Sequence, residues 1–392
     1  MNKAKLRRGI LSWAAVPVAL TVVLTGCSSG SVGGGTKATT TAVSDSKYAS
    51  IIPKGDIVAA SKKLVSDSLS ASTGFTPKDT GPKAQQGGAT VAFVGSDLTN
   101  GGVNTVSQGV KEAAKVMGWT VNVYDGKATA QGRTDALNQA IAAKPVAIVL
   151  GGFDPTEQAA TIKTAAGAGI PLVGWHAGSA AGPGGGLFTN VSTDPLAVSQ
   201  LAAAYAVADS NGKAGVAIFT DGQYEIAVEK AKAMEAYVKA CKGCSVLSYQ
   251  DSPIAEADSR MPGLISNLLQ KDGDKLTYLL AINGNYFGGA QQALRAAGKD
   301  PAGTPKSVAA GDGDSAEFQR IRSVDYQAAT VAEPLILQGW EIVDEVNRAL
   351  AKTDWSGFVP APGLITKANV PSGDTFDPAS GYRDVYKKVW GK

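Results

Sequence analysis

The stretch 89–124, ATVAFVGSDLTNGGVNTVSQGVKEAAKVMGWTVNVY, holds one complete strand–helix–strand unit and decides the class of the fold. Residues 89–95 are apolar at successive positions, not alternate ones. That marks a strand buried on both faces, as in parallel sheets covered by helices. In 103–117, Val103, Val106, Val110, Ala113, Ala114 and Met117 recur at helical spacing and form one apolar stripe. Gly118 follows where a helix end favours glycine, and 119–124 make the next strand.

The same alternation runs on to residue 351. Strands are predicted at 146–150, 170–175, 215–220, 245–249, 277–282, 307–310 and 327–331. Helices are predicted at 132–143, 155–168, 195–210, 225–240, 262–270, 287–297, 316–323 and 334–351. Units this numerous imply an α/β protein of doubly wound parallel sheets, and about ten strands suit two sheets better than one. Ligands in such sheets sit beyond the carboxyl ends of the strands, so the residues after each strand are the candidates. The glycine run 178–186 lacks a phosphate-binding frame and reads as a loop.

Before this core lies a targeting segment. Lys3, Lys5, Arg7 and Arg8 precede an apolar run, 10–24, shorter than the ~20 residues of a spanning helix. Length and flanks fit an export signal. The run ends in Leu24-Thr25-Gly26-Cys27, which resembles the bacterial lipobox and implies acylation of Cys27 and a membrane anchor without a span. Residues 28–50, rich at first in Ser, Gly and Thr, are expected to be a flexible tether. Residues 51–87 form an extension with one helix near 56–69.

Composition narrows the function. A net charge of +3, with no basic block beyond the signal, argues against nucleic-acid binding. Cys241 and Cys244 are expected to form a structural disulfide in an oxidising compartment. Their spacing also matches a redox pair, but such a pair would open a helix and this one follows a helix. Zinc lacks ligands, because His176 is the only histidine. Beyond the targeting segment there is no GxSxG elbow, and the chain has no HExxH or P-loop lysine motif, which leaves an extracellular hydrolase as a remote alternative.

Residues 88–370 resemble the type I periplasmic binding proteins of the ribose-binding-protein-like group. The resemblance rests on Gly169-Ile170-Pro171, Ala281-Ile282-Asn283-Gly284, Gly311-Asp312-Gly313 and Ala329-Thr330-Val331-Ala332-Glu333-Pro334, in that order. It implies two similar lobes joined by a three-segment hinge, with a ligand cleft between them that closes on binding. It also implies an extracytoplasmic monomer that serves ABC permease subunits and has no cofactor or metal. Lobe 1 is expected to comprise 88–191 and 334–364, and lobe 2 to comprise 192–333 and 365–392, with crossings near Asn190, Ala332 and Ile365.

Carried over from the family, Ser96 and Asn100 match polar ligand contacts. Gly102 and Val103 fall where sugar binders place stacking aromatics. Trp175 and His176 occupy a turn where Asp-Arg is usual. Tyr224 lies just upstream of a position, near Val228, where the family often has an Arg and this chain has none. Asn283 matches an amide contact, with Tyr286 beside it. Asp312 matches a carboxylate, and Glu333 stands where Gln or a similar residue is usual. Tyr224 and Tyr286 could instead pack against loops, and Glu333 could brace a hinge.

Carboxylates and amides at strand ends can form paired, charge-assisted hydrogen bonds with neighbouring hydroxyls. Trp175 and Tyr286 can cover an apolar ring face. Negative charge at Asp312 and Glu333, without the family's arginines, disfavours an acidic ligand. A neutral sugar or polyol is therefore expected. A small aromatic or amine-bearing solute is the alternative, and so is a ligand-sensing receptor of the same fold. The export signal and the lack of an N-terminal helix-turn-helix argue against a cytoplasmic repressor.

Overall fold

The computed structural model describes residues 46–70 and 73–392. The signal, Cys27 and most of the tether lie outside them. Among the described residues no helix is long and apolar enough to cross a membrane.

A 3-10 turn, Ser46–Ile51, leads to α1 (Ile57–Leu69). The first sheet then builds through β1 (Thr90–Gly95), α2 (Gly101–Met117), β2 (Thr120–Asp125), α3 (Ala130–Ala142), β3 (Ala147–Gly151), α4 (Ala159–Gly167), β4 (Leu172–Trp175), β5 (Gly182–Gly184) and β6 (Leu187–Val191). The second follows through α5 (Pro195–Asp209), β7 (Gly215–Thr220), α6 (Glu225–Ala240), β8 (Ser245–Asp251), α7 (Ala257–Asp272), β9 (Tyr278–Ala281), α8 (Phe287–Ala296), β10 (Lys306–Ala309), α9 (Ser315–Ser323) and β11 (Gln327–Ala332). The chain closes with α10 (Leu335–Ala351), β12 (Gly363–Thr366) and α11 (Tyr382–Trp390).

The sheets run β2-β1-β3-β4-β6-β5 and β8-β7-β9-β10-β11-β12. All neighbours are parallel except the edge pairs β5–β6 and β11–β12. The two lobes thus share one winding order, 2-1-3-4. In both, the order reverses beside the first strand, between β1 and β3 and between β7 and β9. The crevice beyond the carboxyl ends of those strands is where a ligand can sit. β1, β3 and β7 are buried almost throughout, as their continuous apolar sequences require.

The chain passes between lobes more often than three crossings allow. It leaves β6 for α5, which packs on the second sheet. It returns at Glu333 and Pro334 to α10, which lies on α2 in the first lobe. There two glycines bring the helix backbones together, since a Cβ on Gly339 would stand 2.5 Å from Gly109 Cα. It then goes back to β12 on the edge of the second sheet. Finally α11 rejoins the first lobe, where Trp390 stacks on Trp340 of α10 with ring centroids 5.5 Å apart. The tail 365–392 therefore does not belong wholly to lobe 2, and β12 places 363–364 on lobe 2 instead of lobe 1. The physical reason is the apolar face of Tyr382, Tyr386, Val389 and Trp390, which is buried in the first lobe's core.

The extension also touches both lobes. Ile57, Val58, Leu64 and Val65 of α1 pack on the second lobe's core. Gln200 Nε2 donates to the Ile51 carbonyl at 2.6 Å. Further on, Phe75 enters the first lobe's core, and Asn347 and Arg348 of α10 donate to the carbonyls of Thr80, Pro82 and Lys83. Cys241 and Cys244 are joined by a disulfide at the turn from α6 to β8. Part of the glycine run is β5, an edge strand of three residues paired with β6, too short for a periodicity to reveal.

Candidate functional site

The switch points of the two sheets face each other across a cleft lined by residues of both lobes, a concave place with apolar walls and a few convergent polar groups, as small-molecule sites have. Ser96 stands directly after β1 and Trp175 ends β4. On the other lobe, Asn283 follows β9 and Asp312 follows β10. Of the residues expected from the sequence, Ser96, Asn100, Trp175, His176, Tyr224, Asn283 and Asp312 line this cleft.

Several of these side chains have a structural duty as well. Asn100 Oδ1 caps α2 by accepting from Gly102 N–H at 2.9 Å. Trp175 Nε1 donates to Gln338 Oε1 of α10 at 2.9 Å, which fixes the indole. His176 stacks on Trp175, with centroids 4.0 Å apart and planes within 11°. His176 and Asp312 both adopt left-handed backbone, φ 49° and φ 64°. Non-glycine residues held there cost free energy, and such strain collects at ligand sites.

Glu333 and Tyr286 do not line the cleft. Tyr286 is buried in the second lobe's core, beside Phe219, and its hydroxyl donates to the Ser252 carbonyl at 2.8 Å. It is a core aromatic, and the expectation that it contacts ligand is corrected. Glu333 is 0% exposed at the crossing into α10. Its Oε1 accepts from Lys230 Nζ at 2.8 Å, and its Oε2 accepts from His176 Nε2 at 2.9 Å and from Thr193 Oγ1. Lys230 belongs to the second lobe, His176 to the first, and Thr193 to the crossing before α5. Glu333 is therefore a brace between the lobes. Burial would raise its carboxyl, but His176 and Lys230 hold it well below the usual carboxylate range.

Lys230 is the cleft residue that sequence reasoning missed. The signal lay in helical spacing: Ile226, Ala227 and Lys230 share the face of α6 that lines the cleft. It supplies the positive charge that the absent arginines had seemed to remove, yet Glu333 balances it. Ligand atoms of His176, Asp312 and Glu333 come within 4.8 Å of one another, a spacing that could hold a metal. Lys230 already provides the cation that such a set would need.

Asp312 is the odd member. It is 7% exposed, and among the described residues nothing donates to its carboxylate. Desolvation pushes it up to about 6, against the lowering effect of Lys230 and His176. A buried acceptor without a donor, facing a cleft, is what a ligand donor would satisfy.

Other buried carboxyls share this upward push from desolvation, among them Glu317 to about 8 and Glu345 to about 7, with Glu341 and Asp344 raised as well. For Asp312, Glu317 and Glu345 the contribution to stability is fully present below the ordinary value and is lost as pH rises through about 6–8. Glu333 is lowered, so its contribution persists throughout that range. The melting temperature is expected to fall by several degrees between pH 5.5 and pH 8.5 in scanning calorimetry. A flat or rising profile would contradict the buried charges.

Comparison with known proteins agrees with this geometry. A family model described as a periplasmic binding protein domain matches residues 91–354. No curated protein sequence matches the chain. Among solved structures, the chain is similar to a galactofuranose binding protein at 17% identity, covering 77% of this chain and 99% of that one, with a TM-score of 0.63. It is similar to a sugar ABC transporter protein from Yersinia enterocolitica at 18% identity, covering 78% and 94%, with a TM-score of 0.66. A solute binding protein from Bacillus halodurans with bound myo-inositol aligns at 18% identity over 74% and 98%, with a TM-score of 0.63. At these identities the likeness establishes the fold.

Proposed function

The chain belongs to the periplasmic binding protein domain family, and on that premise we propose that it captures a neutral sugar or polyol for an ABC importer. The family is one of extracytoplasmic solute-binding proteins, not of enzymes. The observation that carries the ligand class is the unsatisfied carboxylate of Asp312 in a cleft whose one buried cation is already matched by Glu333. A neutral ligand with hydroxyl donors fills that need without adding charge. Ser96 and the Asn283 amide supply further polar groups, while Trp175, Tyr224, Ile226 and Ile254 supply apolar wall. Cavities of this kind fix orientation with few polar groups and gain affinity from apolar contact.

Capture proceeds by closure. Ligand that touches both lobes favours the shut form and shifts the population toward it. The permease then meets the shut form.

A thermal-shift panel tests the ligand class. Neutral sugars and polyols, among them arabinose, galactose, allose and myo-inositol, are set against small amines and aromatics. A ligand at 100 times its Kd stabilises the folded state by about 2.7 kcal/mol. A shift with at least one polyhydroxy compound is expected. A shift confined to amines or aromatics would transfer the site to the alternative class, since the Asp312 carboxylate beside the Trp175–His176 stack also suits a cation.

Anchorage is part of the proposal. Cys27 acylation would hold the protein at the outer face of the membrane. Cys27→Ala is expected to move it to the soluble fraction, and continued membrane attachment would refute the anchor.

A further inference from the structure

Helix α6 begins without a cap of its own. Its N-cap position is Tyr224, whose side chain accepts nothing from the first turn. The acceptor comes from the opposite lobe: Glu225 N–H donates to Asp154 Oδ2 at 2.9 Å. Asp154 stands just after β3 of the first lobe. Beside it, Ser179 Oγ of the first lobe donates to Glu225 Oε1 at 2.9 Å.

The first lobe's helix α2 shows the converse. Asn100 caps it locally, but its first two residues, Gly101 and Gly102, are bare backbone against second-lobe carboxylates. A Cβ on Gly102 would stand 2.7 Å from Asp312 Cγ, and one on Gly101 would collide with Asp314 Oδ2. The start of a helix carries unsatisfied N–H groups and the positive end of the dipole. Each lobe thus offers a helix start to an acid of the other. Both contacts span the two lobes, so opening would separate them and leave α6 without that acceptor.

We propose that Asp154, with Glu225, and Gly101, with Asp314, form a latch that sets the open–shut balance from positions outside the ligand cleft. Apparent affinity scales with the fraction of molecules in the competent form, so these residues tune binding without touching the ligand. The latch requires only the two lobes. Its test uses ligand-free protein, so it can fail while the sugar reading stands, and the reverse.

The full chain is studied without ligand by hydrogen exchange and small-angle X-ray scattering. Asp154→Ala is expected to speed exchange of the Glu225 amide roughly two- to thirtyfold, the range for a lost cap, and to raise the radius of gyration. Asp154→Asn keeps an acceptor and is expected to restore most of the protection. Asp314→Ser keeps a capping oxygen for α9 but withdraws the carboxylate from Gly101. It is expected to expand the protein while leaving exchange within the β1–β4 strands unchanged. Wild-type exchange at Glu225 and an unchanged radius in Asp154→Ala would overturn the latch. So would equal exchange in the Ala and Asn variants.

Discussion

Glu333→Ala is expected to lower the unfolding free energy by about 3–5 kcal/mol, the cost of leaving a buried charge unpaired. Three groups lose their acceptor at once: Lys230, His176 and Thr193. Lys230 is buried, and among the described residues its ammonium makes no other ion pair. The effect separates a brace from a simple ligand contact. A ligand contact would cost affinity and leave stability alone. Replacing both partners together, as Glu333→Leu with Lys230→Met, is expected to recover most of the loss, because apolar pairs often substitute for buried ion pairs without penalty. Urea unfolding of Glu333→Ala, Lys230→Met and the double variant measures this. A loss below 1 kcal/mol in Glu333→Ala would end the brace.

Asp312→Asn is expected to do the opposite, weakening ligand binding while sparing the fold. Asparagine tolerates the left-handed backbone at φ 64°, so the change tests charge and not conformation. Hydrogen bonds to a charged acceptor contribute about 1.5–3 kcal/mol, which corresponds to roughly a 10- to 100-fold rise in Kd. The unfolding midpoint at neutral pH should hold or rise, since a buried carboxyl without a donor is removed. Titration calorimetry with whichever compound the panel identifies measures the affinity. Unchanged Kd would remove Asp312 from the ligand's contacts.

Much of this architecture was legible in residues 89–351. Continuous apolar strands and glycine-stopped helices gave the parallel sheets, and strand ends pointed to Ser96, Asn283 and Asp312. What escaped reading escaped for local reasons. β12 has four residues in a long irregular stretch, and β5 is nearly all glycine, so neither shows a period. α11 is short, and its apolar stripe has meaning only once Trp340 is in place to receive Trp390. Tyr286 and Glu333 sit near strand ends in sequence, yet their side chains turn into the protein. Proximity to a strand end predicts where a backbone goes but not which way a side chain points. Lys230 was hidden inside a helix, where it looked like one more exposed cation among Lys232 and Lys239.

The placement of α11 bears on how the chain matures. The first sheet is complete at Val191, but the indole that stacks on Trp340 arrives only with residue 390. A polypeptide emerging N-terminus first therefore spends most of its synthesis with that half unsealed. Closure of that half therefore waits on a segment far along the chain, which makes its folding a long-range event and a slow one.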